Sequence, residues 1–170
     1  MDPKHLSLLR IHDACRGLSD DEIEKLVLHA KVIHAKPGSQ IHVADQPTDA
    51  IHIVLSGRLR MLVKTPSGAA RTVRYISAGD QFGSLAIFTD EELPVDVVVD
   101  EKAVLLRLER EVAEELIENL PVLRSNLLKK LGMAVHDTLH LRRVRTVSKI
   151  VAFFNIDDQS VKLIAELAAR

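Results

Sequence analysis

Residues 78–88 read Ala-Gly-Asp-Gln-Phe-Gly-Ser-Leu-Ala-Ile-Phe. Two glycines, Gly79 and Gly83, flank an aspartate and a phenylalanine, and an apolar run of helical character follows. Small residues let the backbone turn tightly and keep its amides uncovered. The amides that open the following helix, at Gly83, Ser84, Leu85 and Ala86, have no partner inside it and suit an anion such as phosphate. Glycines spaced in this way punctuate many turns, so what the stretch does depends on the elements that carry it.

Those elements belong to a chain of 170 residues, room for one ordinary domain and an appendage. The formal net charge is -1, which gives no global electrostatic case for binding nucleic acid. A single cysteine, Cys15, excludes an intrachain disulfide and fits a reducing compartment. The apolar runs are only a few residues long, too short for a transmembrane segment. The first residues, Met-Asp-Pro-Lys-His, are not a secretory signal. A cytoplasmic protein is expected.

Asp2 and Pro3 read as an N-cap and a first helical position. Leu6, Leu9 and Asp13 follow at three- and four-residue steps, which predicts a helix to about Cys15, stopped by Gly17. Ser19-Asp20-Asp21-Glu22 is a capping box, and Ile23, Leu26 and Val27 give the helix after it one apolar face. From Lys31 the period becomes alternating. Val32 and Ile33 lead to a turn at Lys36-Pro37-Gly38, and residues 40–43 form a brief strand. Ile51, Ile53 and Leu55 alternate with His52, Val54 and Ser56; Gly57 interrupts, and Leu59, Met61 and Val63 resume. Thr65-Pro66-Ser67-Gly68 closes a hairpin onto residues 72–76, and 95–99 and 103–108 are two further strands. Eight or so short strands with turns between them predict a β-barrel or jelly roll, with the glycine stretch as a short helix between two strands.

Residues 109–120 are helical, with Val112, Leu116 and Leu120 on one face, and Pro121 starts a longer helix reaching about Arg145. Leu127, Leu131, Ala134, Thr138 and Leu141 form a four-three-four-three seam that suits a coiled-coil-like partner, so a homodimer through residues 121–145 is expected. Lys129-Lys130 and Arg142-Arg143-Val144-Arg145 read as a solvated helix end that complements the dipole, ahead of a nucleic-acid contact. His136 and His140 stand one helical turn apart, but only Asp137 is near as a third ligand, so a solvated face is favoured over a metal site. Cys15, beside Arg16, reads as packing, not a redox sensor. No Ser-His-Asp order, G-x-S-x-G, P-loop or catalytic carboxylate pair can be assembled, and no enzyme is expected in this stretch of chain.

Residues 147–154 read as a buried strand, 157–160 as a turn and cap, and 161–170 as a helix. One strand and one helix cannot bury their own apolar faces, so the chain is expected to end inside a second domain. Three parts follow: residues 1–120, a β-roll with flanking helices; 121–146, the long helix; and 147–170, the start of a further α/β segment.

From about Leu18 to Arg145 this order of elements resembles a cyclic-nucleotide-binding domain of the catabolite-activator-like β-roll type. The residues that carry the resemblance are Pro37-Gly38, Asp49 before the Ile51-His52-Ile53 strand, Ser56-Gly57, and Gly79-Asp80-x-Phe82-Gly83-x-Leu85-Ala86. Implied is a mainly β fold with α: a β-roll or jelly-roll barrel, N-terminal helices, a hinge helix and a long helix. In that family the embedded helix is a phosphate-binding cassette. Its amides and an arginine hold the cyclic phosphate, and a glutamate after the Phe-Gly pair holds the ribose hydroxyl. Carried over, the ligand positions are Gly79, Phe82, Gly83, Ser84, Leu85, Ala86, Val95 and Asp96.

Two of these depart from the pattern. Ser84 stands where the glutamate is expected, and Pro94-Val95-Asp96 where the arginine is expected, after the cassette's loop. Between Arg74 and Arg107 the only basic residue is Lys102. Losing a charge-assisted bond costs roughly 1.5–3 kcal/mol, or about ten- to a hundredfold in affinity. Cyclic AMP or cyclic GMP is the implied ligand, weakened by the missing pair. Residues 145–169 also faintly resemble the segment that follows such a domain in patatin-like esterases of the neuropathy target esterase type.

The expected function is a regulatory sensor module with a degenerate cassette, controlling an attached effector domain. One alternative is a non-binding structural or dimerisation module. Another is a fragment of a catabolite-activator-type transcription regulator, which needs a helix-turn-helix where residues 147–170 read strand then helix.

Overall fold

The fold rests on two long strands where the sequence suggests four short ones. The computed structural model describes residues 3–65, 68–89 and 91–141. The elements are α1 (Pro3–Ile11), a 3-10 turn (Asp13–Cys15), α2 (Asp20–His29), β1 (Lys31–Ala35), β2 (Gln40–His42), β3 (Ala50–Lys64) and β4 (Ala70–Ser77). They continue with β5 (Gln81–Phe82), α3 (Ser84–Thr89), β6 (Asp96–Glu109), α4 (Arg110–Asn119) and α5 (Pro121–Leu141). The second basic cluster of the long helix and the strand and helix expected over 147–170 lie outside the described residues.

The six strands form one antiparallel sheet in the order β1-β6-β3-β4, with β2 on β6 and β5 on β3. The expected barrel is therefore an open roll, with β1 and β4 at the ends of the path and helices on one side. Gly57 does not end a strand. Its φ is +85°, and a Cβ there would overlap the Lys102 carbonyl of β6, so only glycine lets the two backbones close while β3 bends. The β3–β6 register shifts around this point, between Val54 and Ser56 and again before Leu59. Residues 95–99 and 103–108 likewise belong to one run, because β6 keeps pairing with β3 across Glu101.

The first helix stops at Ile11, short of Cys15, because residues 13–15 tighten into the 3-10 turn. The expected capping box forms: Ser19 Oγ accepts from Glu22 N–H, and Glu22 Oε2 accepts from Ser19 N–H at 2.7 Å. Cys15 is buried, and burial pushes its thiol up to about 12, in keeping with packing.

The sheet separates two cores. On the helix side Ile51, Ile53, Leu55, Leu106 and Leu108 meet Leu9, Ile23, Leu26, Leu116 and Ile117. Leu123 and Leu127 of α5 join this core, and Leu127 is 1% exposed. The seam expected to face a partner thus loses its first position to the chain's own core, since α5 folds back over the 3-10 turn. Inside the roll Val54, Leu59, Met61, Ile76, Phe82, Val97, Val99 and Leu105 make the second core.

Replacing Gly57 with alanine forces a collision with backbone that no side-chain rotation relieves. G57A should cost about 1–3 kcal/mol in urea unfolding, and an unchanged midpoint would contradict the close approach.

Candidate functional site

The glycine stretch folds as a tight turn, a two-residue strand and a one-and-a-half-turn helix, each stage held by backbone. Asp80 N–H donates to Ser77 O at 2.9 Å, and Ser77 N–H returns a bond to Asp80 Oδ2 at 3.0 Å. Gly79 N–H and Asp80 O then exchange bonds with Val54 at 3.1 and 3.0 Å, which stitches the turn to the centre of β3. Gly83 has φ +92°, and a Cβ there would overlap the Ala50 carbonyl. Glycine is needed here so that α3 can start hard against β3.

Within α3 the first amides have no carbonyl a turn earlier to bond, the condition for an anion cradle. Its far end is fastened. Thr89 Oγ1 donates to Leu85 O at 2.9 Å, and Arg110 Nη2 donates to Ala86 O at 3.1 Å and to Thr48 O at 3.2 Å. Arg110 thereby ties α3 and the loop before β3 to the start of α4, a role that spacing alone did not signal.

The structure gathers some of the expected ligand residues and employs others elsewhere. Phe82 and Val95 share the apolar core inside the roll, at 5% and 1% exposure. Ser84 and Ala86 are buried, while Gly79 and Leu85 are half-buried. Asp96 Oδ1 accepts from Ala44 N–H at 2.9 Å and from Gln40 Nε2 at 3.2 Å, so its carboxylate joins β2 and the following loop to β6. Arg107 pairs with Asp49 at 2.8 Å and Glu109 at 2.9 Å, and Lys31 also reaches Glu109. Arg107 and then Lys31 pull the Glu109 carboxyl down to about 2. Arg74 lies 3.8 Å from Asp80 at the turn. Among the described residues no group of three or more His, Cys, Asp or Glu is placed to hold a metal ion, and no helix is long and apolar enough to cross a membrane.

His52, which alternation placed simply on a strand, stands directly opposite Phe82 in the β3–β5 pair. Its ring stacks on Phe82, with centroids 4.6 Å apart and planes 7° from parallel. Neither ring nitrogen has a hydrogen-bond partner, although the residue is only 4% exposed. Burial, helped by the charge of Arg107, holds its pKa down to about 4.

The family model described as the cyclic nucleotide-binding domain matches residues 32–119, more than half of the chain. The chain belongs to that family. It is 26% identical over 121 residues to the cyclic AMP receptor protein of Thermus thermophilus, covering 71% of this chain and 56% of that protein. It is 22% identical over 151 residues to an uncharacterised NTE family protein of Mycobacterium bovis, covering 89% of this chain and 25% of that one. The chain thus spans a quarter to little more than half of these relatives. In three dimensions it is similar to the Thermus thermophilus catabolite activator protein, with a TM-score of 0.67 at 20% identity over 92% of this chain and 86% of that one. The fold is the open β-roll with flanking helices that this likeness shares.

His52 carries a pH prediction with a definite sign. Its pKa is lower in the folded chain than its ordinary 6.5, so the neutral ring's contribution is complete above pH 6.5. It is lost as pH falls from there through about 4, a change on the order of 3 kcal/mol. His52→Phe keeps the stack, removes two unpaired nitrogens, and should raise stability at neutral pH by about 1–3 kcal/mol. Urea unfolding across this range should show the acid-side slope flattened in H52F; an identical slope would refute the assignment.

Proposed function

We propose that this chain is a regulatory module of the cyclic-nucleotide-binding fold with a degenerate cassette, and that it controls an effector domain attached to it. The observation that carries the reading is Val95, 1% exposed in the same apolar core as Phe82, at the position where the family resemblance expects arginine. The backbone of the cassette supports an anion-binding origin, since Gly79 and Gly83 shape it and the first amides of a helix have no partner within it. The side chains support weak retention of a cyclic phosphate. Ser84 cannot replace a carboxylate's charge, and exposed Glu91 and Glu92 lie in the segment that follows α3. The residues present do not fit a tightly held cyclic nucleotide. The Thermus relative is by its name a receptor for cyclic AMP, and this chain is read as a relative that keeps the frame without the two charged grips. An attached effector is supported by the NTE family relative, of which this chain covers one quarter. In this reading a shift at the cassette moves the hinge between Leu108 and Pro121, and α5 carries it onward.

A second reading, dimerisation along α5, is favoured by one observation. Leu131 and Ala134 continue the row begun by buried Leu127, and both are half-buried in the single chain. Leu131→Asp should lower the mass seen in sedimentation if that row pairs two copies. An unchanged mass would remove it.

Calorimetric titration with cyclic AMP and cyclic GMP tests the first reading. The parent chain should show no binding tighter than millimolar, and micromolar binding would overturn the degenerate cassette. Ser84→Glu with Val95→Arg should raise affinity by about ten- to a hundredfold for each restored contact. The buried guanidinium lacks a partner until the anion arrives, so the doubly substituted chain should melt lower alone and regain its Tm with cyclic nucleotide.

A further inference from the structure

We propose that His12 is a positioning residue that latches the turn at 79–83 to α5, so that displacement of either is passed to the other through residues 12–16. His12 lies outside the family-matched segment 32–119. It is 3% exposed, between the N-terminal helices and the turn. Its Nδ1 accepts from Ala14 N–H at 3.1 Å. A backbone amide can only donate, so Nδ1 carries no proton and the neutral ring bears its proton on Nε2. That Nε2–H donates to the Asp80 carbonyl at 3.1 Å. The same carbonyl accepts Val54 N–H at 3.0 Å, so sheet and N-terminal segment meet on one oxygen.

The neighbouring residues hold α5. Lys130 Nζ lies 2.7 Å from Asp13 Oδ2. Asn126 Nδ2 donates to Ala14 O at 3.1 Å and to Arg16 O at 2.8 Å. Leu123 and Leu127 pack in one core with Leu9, Ala14 and Cys15. A single turn of chain therefore grips the cassette's entry with one side chain and the long helix with the next. Burial keeps the His12 pKa below the ordinary value, with Lys130 acting in the same direction and the Asp80 carbonyl, Asp13 and Asp80 opposing it. The ring is neutral at neutral pH, the form the two bonds require.

The biological use of the latch rests on the regulatory reading; the latch itself is a property of the ligand-free chain and is tested there. Amide hydrogen exchange is followed at Gly79 and Asp80, whose N–H groups bond Val54 O and Ser77 O. His12→Asn keeps an acceptor for Ala14 N–H but is too short to reach Asp80, whereas His12→Gln keeps the reach. H12N should speed exchange at both amides about fivefold, the factor of one hydrogen bond of ordinary net strength, and H12Q should stay near the parent. Lys130→Met, on α5, should speed the same amides in the parent and lose that effect in the H12N background, the signature of coupling in a double-mutant cycle. Additive effects of K130M and H12N, no effect of K130M on the turn, or equal effects of H12N and H12Q would overturn the latch. So would a uniform rise in exchange across β3 and β6, which reports global destabilisation. No nucleotide is added, so failure of nucleotide binding and failure of the latch are separate results.

Discussion

The pairing of β3 with β6 is the constraint on which the rest of the molecule depends. These strands, 15 and 14 residues long, are the only partners β1, β2, β4 and β5 have among the described strand pairs. They must also bend, because one end packs under helices and the other curls into the roll. Gly57 makes the bend possible by letting its backbone approach Lys102 where a side chain would collide. Alternation along β3 sends Ile51, Ile53 and Leu55 to the helix side and Val54 into the roll, and beyond the bend Leu59 and Met61 also face the roll.

The cassette is an attachment to that pair. The Val54 backbone holds the turn, the Ala50 carbonyl crowds Gly83, and His52 stacks on Phe82. Three successive features of the glycine stretch are thus referred to one segment of β3. Arg110 completes the fastening from α4, and His12 does so from the N-terminal helices. The ion pairs nearby, Arg107 with Asp49 and Glu109, secure strand ends and loops, with Arg107 only partly exposed. The charge chemistry around the cassette is spent on architecture, while the interior at Val95 is apolar. This division of labour underlies the reading of a kept frame with weakened retention of anions.

Much of the local structure was legible because it depends on near neighbours. The Ser19–Glu22 capping box, the hairpin at Thr65, the helix beginning at Pro121 and the helix after Gly83 all follow from residues within a few positions of one another. The resemblance carried by Gly79, Phe82 and Gly83 led to the family that the match over residues 32–119 bears out. Strand continuity was not legible at Gly57, since a glycine that ends a strand and one that bends it look alike in one dimension. Leu127 likewise reads as a free seam until α5 is seen folded over the 3-10 turn.

Sequence alone determined which side chains are available to the cassette: serine at 84, valine at 95, and no basic residue but Lys102 between Arg74 and Arg107. Those identities limit the chemistry whatever the fold does with them. Only the tertiary structure decided what surrounds them. His12 is 68 residues from Asp80, and Asn126 is 112 from Ala14, separations at which no local pattern links donor to acceptor. Burial is likewise a property of the packed whole, and it is burial that leaves the His52 nitrogens unpaired and turns a strand residue into a pH-sensitive prop beneath the glycine turn.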